Sequence, residues 1–253
     1  MATVTLIGAG PGDPELLTRK AWRLLGNADI VLHDALIDVA GMREAAPEAV
    51  WRSVGKRAGK TSVDQAFICR ALVGYARQGM RVVRLKGGDP ALFGRAAEEI
   101  AACREAGIDV EVVPGVTSAC AAAADLQTSL TLRGVSRSVA FVTPRVGRGE
   151  GADSEWLPVS LAAKTVVIYM GGAYAQTIAQ RLISAGKPAL TPVCVVENAG
   201  GRGVRLRTTL LQLAQAGLPA LEGPVSLLLG DALAQAAPSQ SALAPPRHAL
   251  SQS

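Results

Sequence analysis

Arg84-Leu85-Lys86-Gly87-Gly88-Asp89-Pro90-Ala91-Leu92-Phe93-Gly94-Arg95 joins an apolar strand, residues 82–85, to a helical segment, residues 96–106, through two glycines, an acid and a proline. Paired glycines let backbone N–H groups approach a ligand that side chains would block. Pro90 fixes the turn, and the loop lies beyond the carboxyl end of a strand, where open α/β sheets bind ligands. The glycines alone would fit an ordinary strand-to-helix turn. A second loop, Gly8-Ala9-Gly10-Pro11-Gly12-Asp13-Pro14, ends another strand and shifts the balance towards a ligand site.

Outward from these loops, residues 3–7 read as a buried strand. Asp13-Pro14-Glu15 then opens a helix, with Asp13 as N-cap, proline in the first helical position and an acid facing the dipole. Leu17, Ala21, Leu24 and Ala28 recur along its packing face. A short strand at 30–32 leads to His33-Asp34, and one at 49–54 leads to Gly55-Lys56-Arg57-Ala58-Gly59. Ser62 caps a helix running to residue 78, and a strand at 110–113 ends in Pro114-Gly115-Val116-Thr117-Ser118. Strand and helix alternate throughout, which argues for a parallel α/β sheet.

The Ala-rich segment 118–124 is a short helix that leads into a second unit. That unit has strands at 138–142, 165–170, 192–197, 204–208 and 225–229, with helices at 173–185 and 210–216. The expected architecture is two α/β units, residues 1–118 and 119–235, with a cleft between them. Ala, Pro, Ser and Gln dominate 236–253, where a disordered tail is expected.

Composition narrows the chemistry. Apolar residues make up 49% and charged residues 19% of 253, as in a soluble globular protein. No apolar run reaches membrane-spanning length, and the glycines near the N-terminus interrupt any signal-peptide core, so a cytoplasmic address is expected. Cys69, Cys103, Cys120 and Cys194 form no C-x-x-C pair and read as reduced thiols. The two histidines, His33 and His248, are too few for a histidine-based metal site and do not fit a Ser-His-Asp triad. No metal is expected.

The net charge of +5 favours an anionic partner. Basic residues gather mildly at Lys56, Arg57 and Lys60 and across Arg133, Arg137, Arg145 and Arg148. They lack the dense runs and interleaved aromatics of a nucleic-acid surface, and aromatics are 4% of the chain. A small polyanionic substrate fits better than nucleic acid, with a solvated basic face accounting for part of the charge.

Gly8 and Gly10 match the start of a dinucleotide-binding G-x-G-x-x-G. Asp13 stands where the third glycine belongs, however, and Pro11 intrudes. An acid facing pyrophosphate disfavours NAD, although Asp34 lies at about the distance of a ribose-binding acid.

Four motifs occur in one order: Gly8-Ala9-Gly10-Pro11-Gly12-Asp13, Val54-Gly55-Lys56-Arg57-Ala58-Gly59, Arg81-Val82-Val83-Arg84-Leu85-Lys86-Gly87-Gly88-Asp89-Pro90 and Val113-Pro114-Gly115-Val116-Thr117-Ser118. Tyr169-Met170-Gly171 and Val195-Val196-Glu197-Asn198-Ala199 extend the pattern. Together they closely resemble the tetrapyrrole methylase family, and within it the uroporphyrinogen-III C-methyltransferases, over residues 4–229. The resemblance implies a homodimer of two α/β domains with the active site in the cleft between them. S-adenosyl-L-methionine would be the methyl donor. The implied reaction methylates two ring carbons of uroporphyrinogen III to give precorrin-2, which feeds sirohaem and cobalamin synthesis.

Carried over residue by residue, the resemblance implies donor binding by Pro11, Gly87, Gly88, Asp89, Leu92, Thr117, Ser118, Met170 and Ala199. It implies proton acceptor and donor roles for Asp34 and Lys56. Arg57 and Arg133 are the candidates for holding substrate carboxylates. The chain departs from the family pattern at His33, Ala91, Leu132 and Pro144-Arg145. The remaining alternatives are another methyltransferase of this fold, such as a later precorrin methyltransferase, and a non-catalytic tetrapyrrole or S-adenosylmethionine binding protein.

Overall fold

The structure is a computed structural model that describes residues 3–35, 37–54, 65–144 and 155–236. The chain divides into two compact units, Met1–Ser118 and Ala119–Ser253. Among the described residues, no helix is long and apolar enough to cross a membrane.

In the first unit, β1 (Thr3–Gly8), β2 (Ile30–His33), β3 (Val50–Ser53), β4 (Val82–Lys86) and β5 (Asp109–Val113) form one sheet in the order β3-β2-β4-β1-β5. Every neighbouring pair is parallel. The helices are α1 (Arg19–Leu25), α2 (Val39–Met42), α3 (Gln65–Arg77) and α4 (Ala96–Glu105). Period-two alternation splits the sheet into two apolar faces. Val4, Leu6, Ile30, Leu32 and Val82 pack with Ile68 and Leu72 of α3 and Cys103 of α4. Ile7, Val31, Val83 and Leu85 pack with Ala21 and Leu25 of α1 and Met42 of α2. Leu72 is fully buried, so its truncation to alanine costs about 2–5 kcal/mol.

The helix expected to open at Asp13 is two elements. Asp13 caps only a 3-10 turn, Pro14–Leu16, by accepting from the Glu15 N–H at 2.9 Å. Leu17 and Thr18 are extended, and the Thr18 hydroxyl accepts from the Ala21 N–H at 3.1 Å to start α1 afresh. A competing side-chain cap resets the helix, and Ala28 lies beyond its end. The predicted Ser62 cap lies outside the described residues.

The second unit contains α5 (Ser118–Asp125), β6 (Val139–Val142), α6 (Trp156–Ala162), β7 (Thr165–Ile168), α7 (Ala175–Ser184), β8 (Pro192–Glu197), β9 (Arg205–Thr209), α8 (Leu210–Ala216) and β10 (Val225–Leu229). The helix α6 has no counterpart in the sequence reading. The sheet order is β6-β7-β10-β8-β9. Only β6–β7 is parallel, and the β7–β10, β10–β8 and β8–β9 pairs are antiparallel. This corrects the expectation of parallel pairing throughout. The return from β8 to β9 is too short for a parallel crossover, and β10 inserts between β7 and β8. Ala236, assigned to the tail, is buried, and its carbonyl accepts from Arg207 at 2.7 Å. The remainder of that tail lies outside the described residues.

Candidate active site

The order of the first sheet forces two connections past each other. The chain leaving β1 must reach β2 on the far side of β4, while the chain leaving β4 must reach β5 on the far side of β1. Both exits therefore meet at one sheet edge, and glycine lets them do so. Gly10 and Gly88 pair in a bridge, with Gly88 N–H donating to the Gly10 carbonyl at 2.7 Å and Gly10 N–H to the Gly88 carbonyl at 3.2 Å. A Cβ on Gly8 would lie 2.6 Å from the Gly115 Cα and 2.7 Å from the Gly88 oxygen, so the exits of β1, β4 and β5 are in backbone contact. Asp89 fastens the same edge: one carboxylate oxygen accepts from Gly115 N–H at 2.9 Å and the other from Ala91 N–H at 2.8 Å.

Gly87 and Gly88 face outward from this crossing. A Cβ at either would meet nothing within 4 Å, and Gly88 has φ +69°. The edge thus carries a bare stretch of main chain bordered by open space. Pro11, Leu92, Thr117 and Ser118 belong to the same three exits and are all half-buried.

Asp34 stands at the end of β2, beside the glycine loop. One of its carboxylate oxygens accepts from Gly87 N–H at 3.1 Å, and the other accepts from the Arg84 guanidinium. His33 donates from Nδ1 to the Asp34 carbonyl at 2.9 Å and tilts against Trp51. The Asp34 side chain is 32% exposed, while that of Arg84 is 3% exposed.

Behind Asp34 lies an ionic network that the sequence reading missed. Arg84 Nε donates to Glu99 at 3.0 Å, and Lys86 Nζ reaches both Glu99 oxygens at 2.9 and 3.0 Å. Gln65 adds a bond to Glu99 at 3.2 Å, and Arg84 also donates to the Leu32 and Leu85 carbonyls. Burial opposes the charge on Arg84, but Asp34 and Glu99 outweigh it and hold its pKa above the ordinary value. For Lys86 burial wins, aided by repulsion from Arg84, and its pKa is lowered. Two cations and two carboxylates balance, as buried charges require. A signal was available: β4 carries cations two residues apart, hence on one face, followed by Glu99 in the first turn of α4.

In the second unit, Met170 and Ala199 occupy the turns after β7 and β8. Met170 is 68% exposed with φ +56°, and Asn198, next to Ala199, has φ +47°. Among the described non-glycine residues, positive φ occurs at Phe93, Arg95, Gln127, Met170 and Asn198. Four of the five lie in or beside predicted donor segments, and backbone strain of this kind gathers at ligand sites. The strand expected over 165–170 ends early because Met170 turns left-handed.

Residues 3–214 match the family described as Tetrapyrrole (Corrin/Porphyrin) Methylases. The chain belongs to the tetrapyrrole methylase family. A uroporphyrinogen-III C-methyltransferase of Pseudomonas aeruginosa is 43% identical over 230 residues, covering 90% of this tetrapyrrole methylase and 93% of the relative. Siroheme synthase 2 of Aeromonas hydrophila is 40% identical over 232 residues, covering 91% of this chain and 49% of the relative. The chain thus spans about half the length of that larger relative. Among solved structures, uroporphyrin-III C-methyl transferase from Thermus thermophilus complexed with S-adenyl homocysteine superposes with a TM-score of 0.79 at 37% identity, covering 92% of this chain and 99% of that one.

Of the residues expected to carry acid–base and substrate roles in this tetrapyrrole methylase, Asp34 is at the glycine edge. Arg133 belongs to the second unit and is exposed in a turn closed by the Leu132–Ser136 bridge. Lys56, Arg57, Lys60, Arg145 and Arg148 lie outside the described residues.

Proposed function

We propose that this protein transfers methyl groups from S-adenosyl-L-methionine to two ring carbons of uroporphyrinogen III, giving precorrin-2 for sirohaem or cobalamin synthesis. The observation that carries the reading is the bare main chain of Gly87 and Gly88, adjoining the carboxylate of Asp34 through the Gly87 N–H. On this reading the loop that takes the donor adjoins a polar group available to the acceptor. The names of the Pseudomonas and Thermus relatives support the choice of acceptor and donor.

The glycine edge fits the donor because a side chain at Gly87 would fill the space it offers. Gly87, Gly88, Asp89, Leu92, Pro11, Thr117 and Ser118 would hold the donor from the first unit, and Met170 and Ala199 from the second. When bound, the donor supplies an activated methyl group on a sulfonium sulfur.

The residues need only align the partners, because an electron-rich porphyrinogen carbon is already a nucleophile. Once the new carbon–carbon bond forms, the macrocycle must lose a proton. Asp34 can take it, since each carboxylate oxygen keeps acceptor capacity beyond the one bond it makes here. Lys56 is assigned the partnering acid, and Arg57 and Arg133 the substrate carboxylates.

No metal is assigned a role. A cytoplasmic homodimer completes the reading, because symmetric dimers are the commonest oligomers; a light-scattering mass near the 26.0 kDa of one chain would contradict the dimer. The function is tested by release of S-adenosylhomocysteine under anaerobic conditions. Release should depend on uroporphyrinogen III, and equal release with RNA or with a later precorrin would redirect the assignment.

A further inference from the structure

The turn between β8 and β9 is rich in glycine, Asn198-Ala199-Gly200-Gly201-Arg202-Gly203, and such a segment loses much conformational freedom when ordered. Asn198 Nδ2 donates to the Arg202 carbonyl at 3.3 Å within it, and Arg205 and Asp125 brace it from outside. The Arg205 guanidinium donates to the carbonyls of Glu197 at 2.5 Å, Gly201 at 2.9 Å, Val204 at 3.2 Å and Asn198 at 3.3 Å. The same guanidinium donates to Asp125 at 2.5 Å, and that Asp125 oxygen also accepts from Gly200 N–H at 2.8 Å. A planar cation with several fixed donors can gather carbonyls from both ends of a turn, whereas a lysine presents one point charge.

Bracing leaves the main chain of Ala199, itself 5% exposed, unengaged. Gly200 N–H and the Asn198 and Gly201 carbonyls are engaged by Asp125 and Arg205. The N–H and C=O of Ala199 bond to no described residue. Neither Asp125 nor Arg205 is among the residues assigned to the donor, and both are only partly exposed.

We propose that Asp125 and Arg205 are positioning residues for the methyl donor. They hold the turn so that the Ala199 main chain is preorganised to receive it. Preorganisation of this kind raises affinity by removing the cost of ordering on binding. The inference rests on the proposed donor site and deepens it.

The test uses the full chain. Donor-product affinity is measured by calorimetry with S-adenosylhomocysteine, steady-state constants for both substrates are determined, and amide exchange is followed over residues 198–204. Arg205→Lys and Asp125→Leu should weaken donor affinity about tenfold or more, since a lost hydrogen bond to a charged group is worth at least that factor. Amide exchange in the turn should rise, while KM for the tetrapyrrole and kcat at saturating donor stay within about threefold.

Asp125→Asn, which keeps an acceptor for Gly200 N–H, should recover part of the loss. Unchanged donor affinity in folded Arg205→Lys and Asp125→Leu would overturn the positioning role alone. Failure of the unaltered chain to bind S-adenosylhomocysteine would overturn the donor site and the positioning role with it. Parallel loss of all constants in step with melting temperature would show a fold defect and overturn the proposal as well.

Discussion

The buried guanidinium of Arg84 on β4 donates to the half-exposed carboxylate of Asp34 at the end of β2. Asp34 is thus fixed at both oxygens, by a cation from the sheet interior and by the N–H of Gly87 at the sheet edge. This couples the proposed proton acceptor to the proposed donor loop.

Asp34→Asn retains an acceptor for Gly87 N–H but removes the carboxylate. It should lower kcat by about 10²–10⁴-fold, the usual range for general acid–base groups, while donor affinity by calorimetry changes little. Full turnover across the pH range would remove Asp34 from proton handling and leave alignment as the main source of rate.

Gly87 is the cleaner probe of donor approach. Gly88 has φ +69°, so any side chain there strains the backbone by about 1–2 kcal/mol before a ligand is considered. Gly87 has neither positive φ nor a neighbour for its Cβ. Gly87→Val should leave the thermal transition nearly in place and abolish measurable S-adenosylhomocysteine binding. Unaltered affinity would place the donor elsewhere.

Glu99 is fully buried between Arg84 and Lys86. Glu99→Leu strands Lys86 and removes one of two carboxylate partners from Arg84, costing about 3–5 kcal/mol by chemical denaturation. Adding Lys86→Met should restore part of that loss, because Arg84 then keeps Asp34 and no unpaired cation remains. Additive losses in the double variant would show that the two side chains do not act as a unit.

Glu197 accepts from the N–H groups of Gly223 and Glu222, each at 2.8 Å, and Val204 at 3.2 Å. These bonds, Gly223 foremost, outweigh burial and lower its pKa. A carboxyl with a lowered folded pKa stabilises above its unfolded value and loses that stabilisation as pH falls through the folded one. The melting-temperature advantage of the unaltered chain over Glu197→Gln should therefore persist at neutral pH. It should shrink from about pH 4.3, the ordinary glutamate value, downward. An advantage that grows on acidification would contradict the assignment.

The glycine loops were legible because two glycine-proline loops each end a strand, which an ordinary turn alone does not require. The strands β8 and β10 and the helix α8 were also plain, as apolar runs or periodic segments between turn residues. Local pattern could not show that β10 inserts between β7 and β8, because pairing order depends on contacts far apart in sequence. The break at Thr18 was hidden by an unbroken helical periodicity through Leu17, Ala21 and Leu24. The burial of Arg84 and Lys86 follows from the central place of β4 in its sheet, which pairing between segments far apart in sequence decides. Asp125 and Arg205 are 80 residues apart, and nothing local links them.

Two methylations of one tetrapyrrole change the mass of the product. The chain is incubated anaerobically with methyl-labelled S-adenosylmethionine and uroporphyrinogen III, and the macrocycle is then analysed by mass spectrometry. The expected product carries two labelled methyl groups on ring carbons. A macrocycle that gains no label, from a chain that binds S-adenosylhomocysteine, would contradict the double methylation.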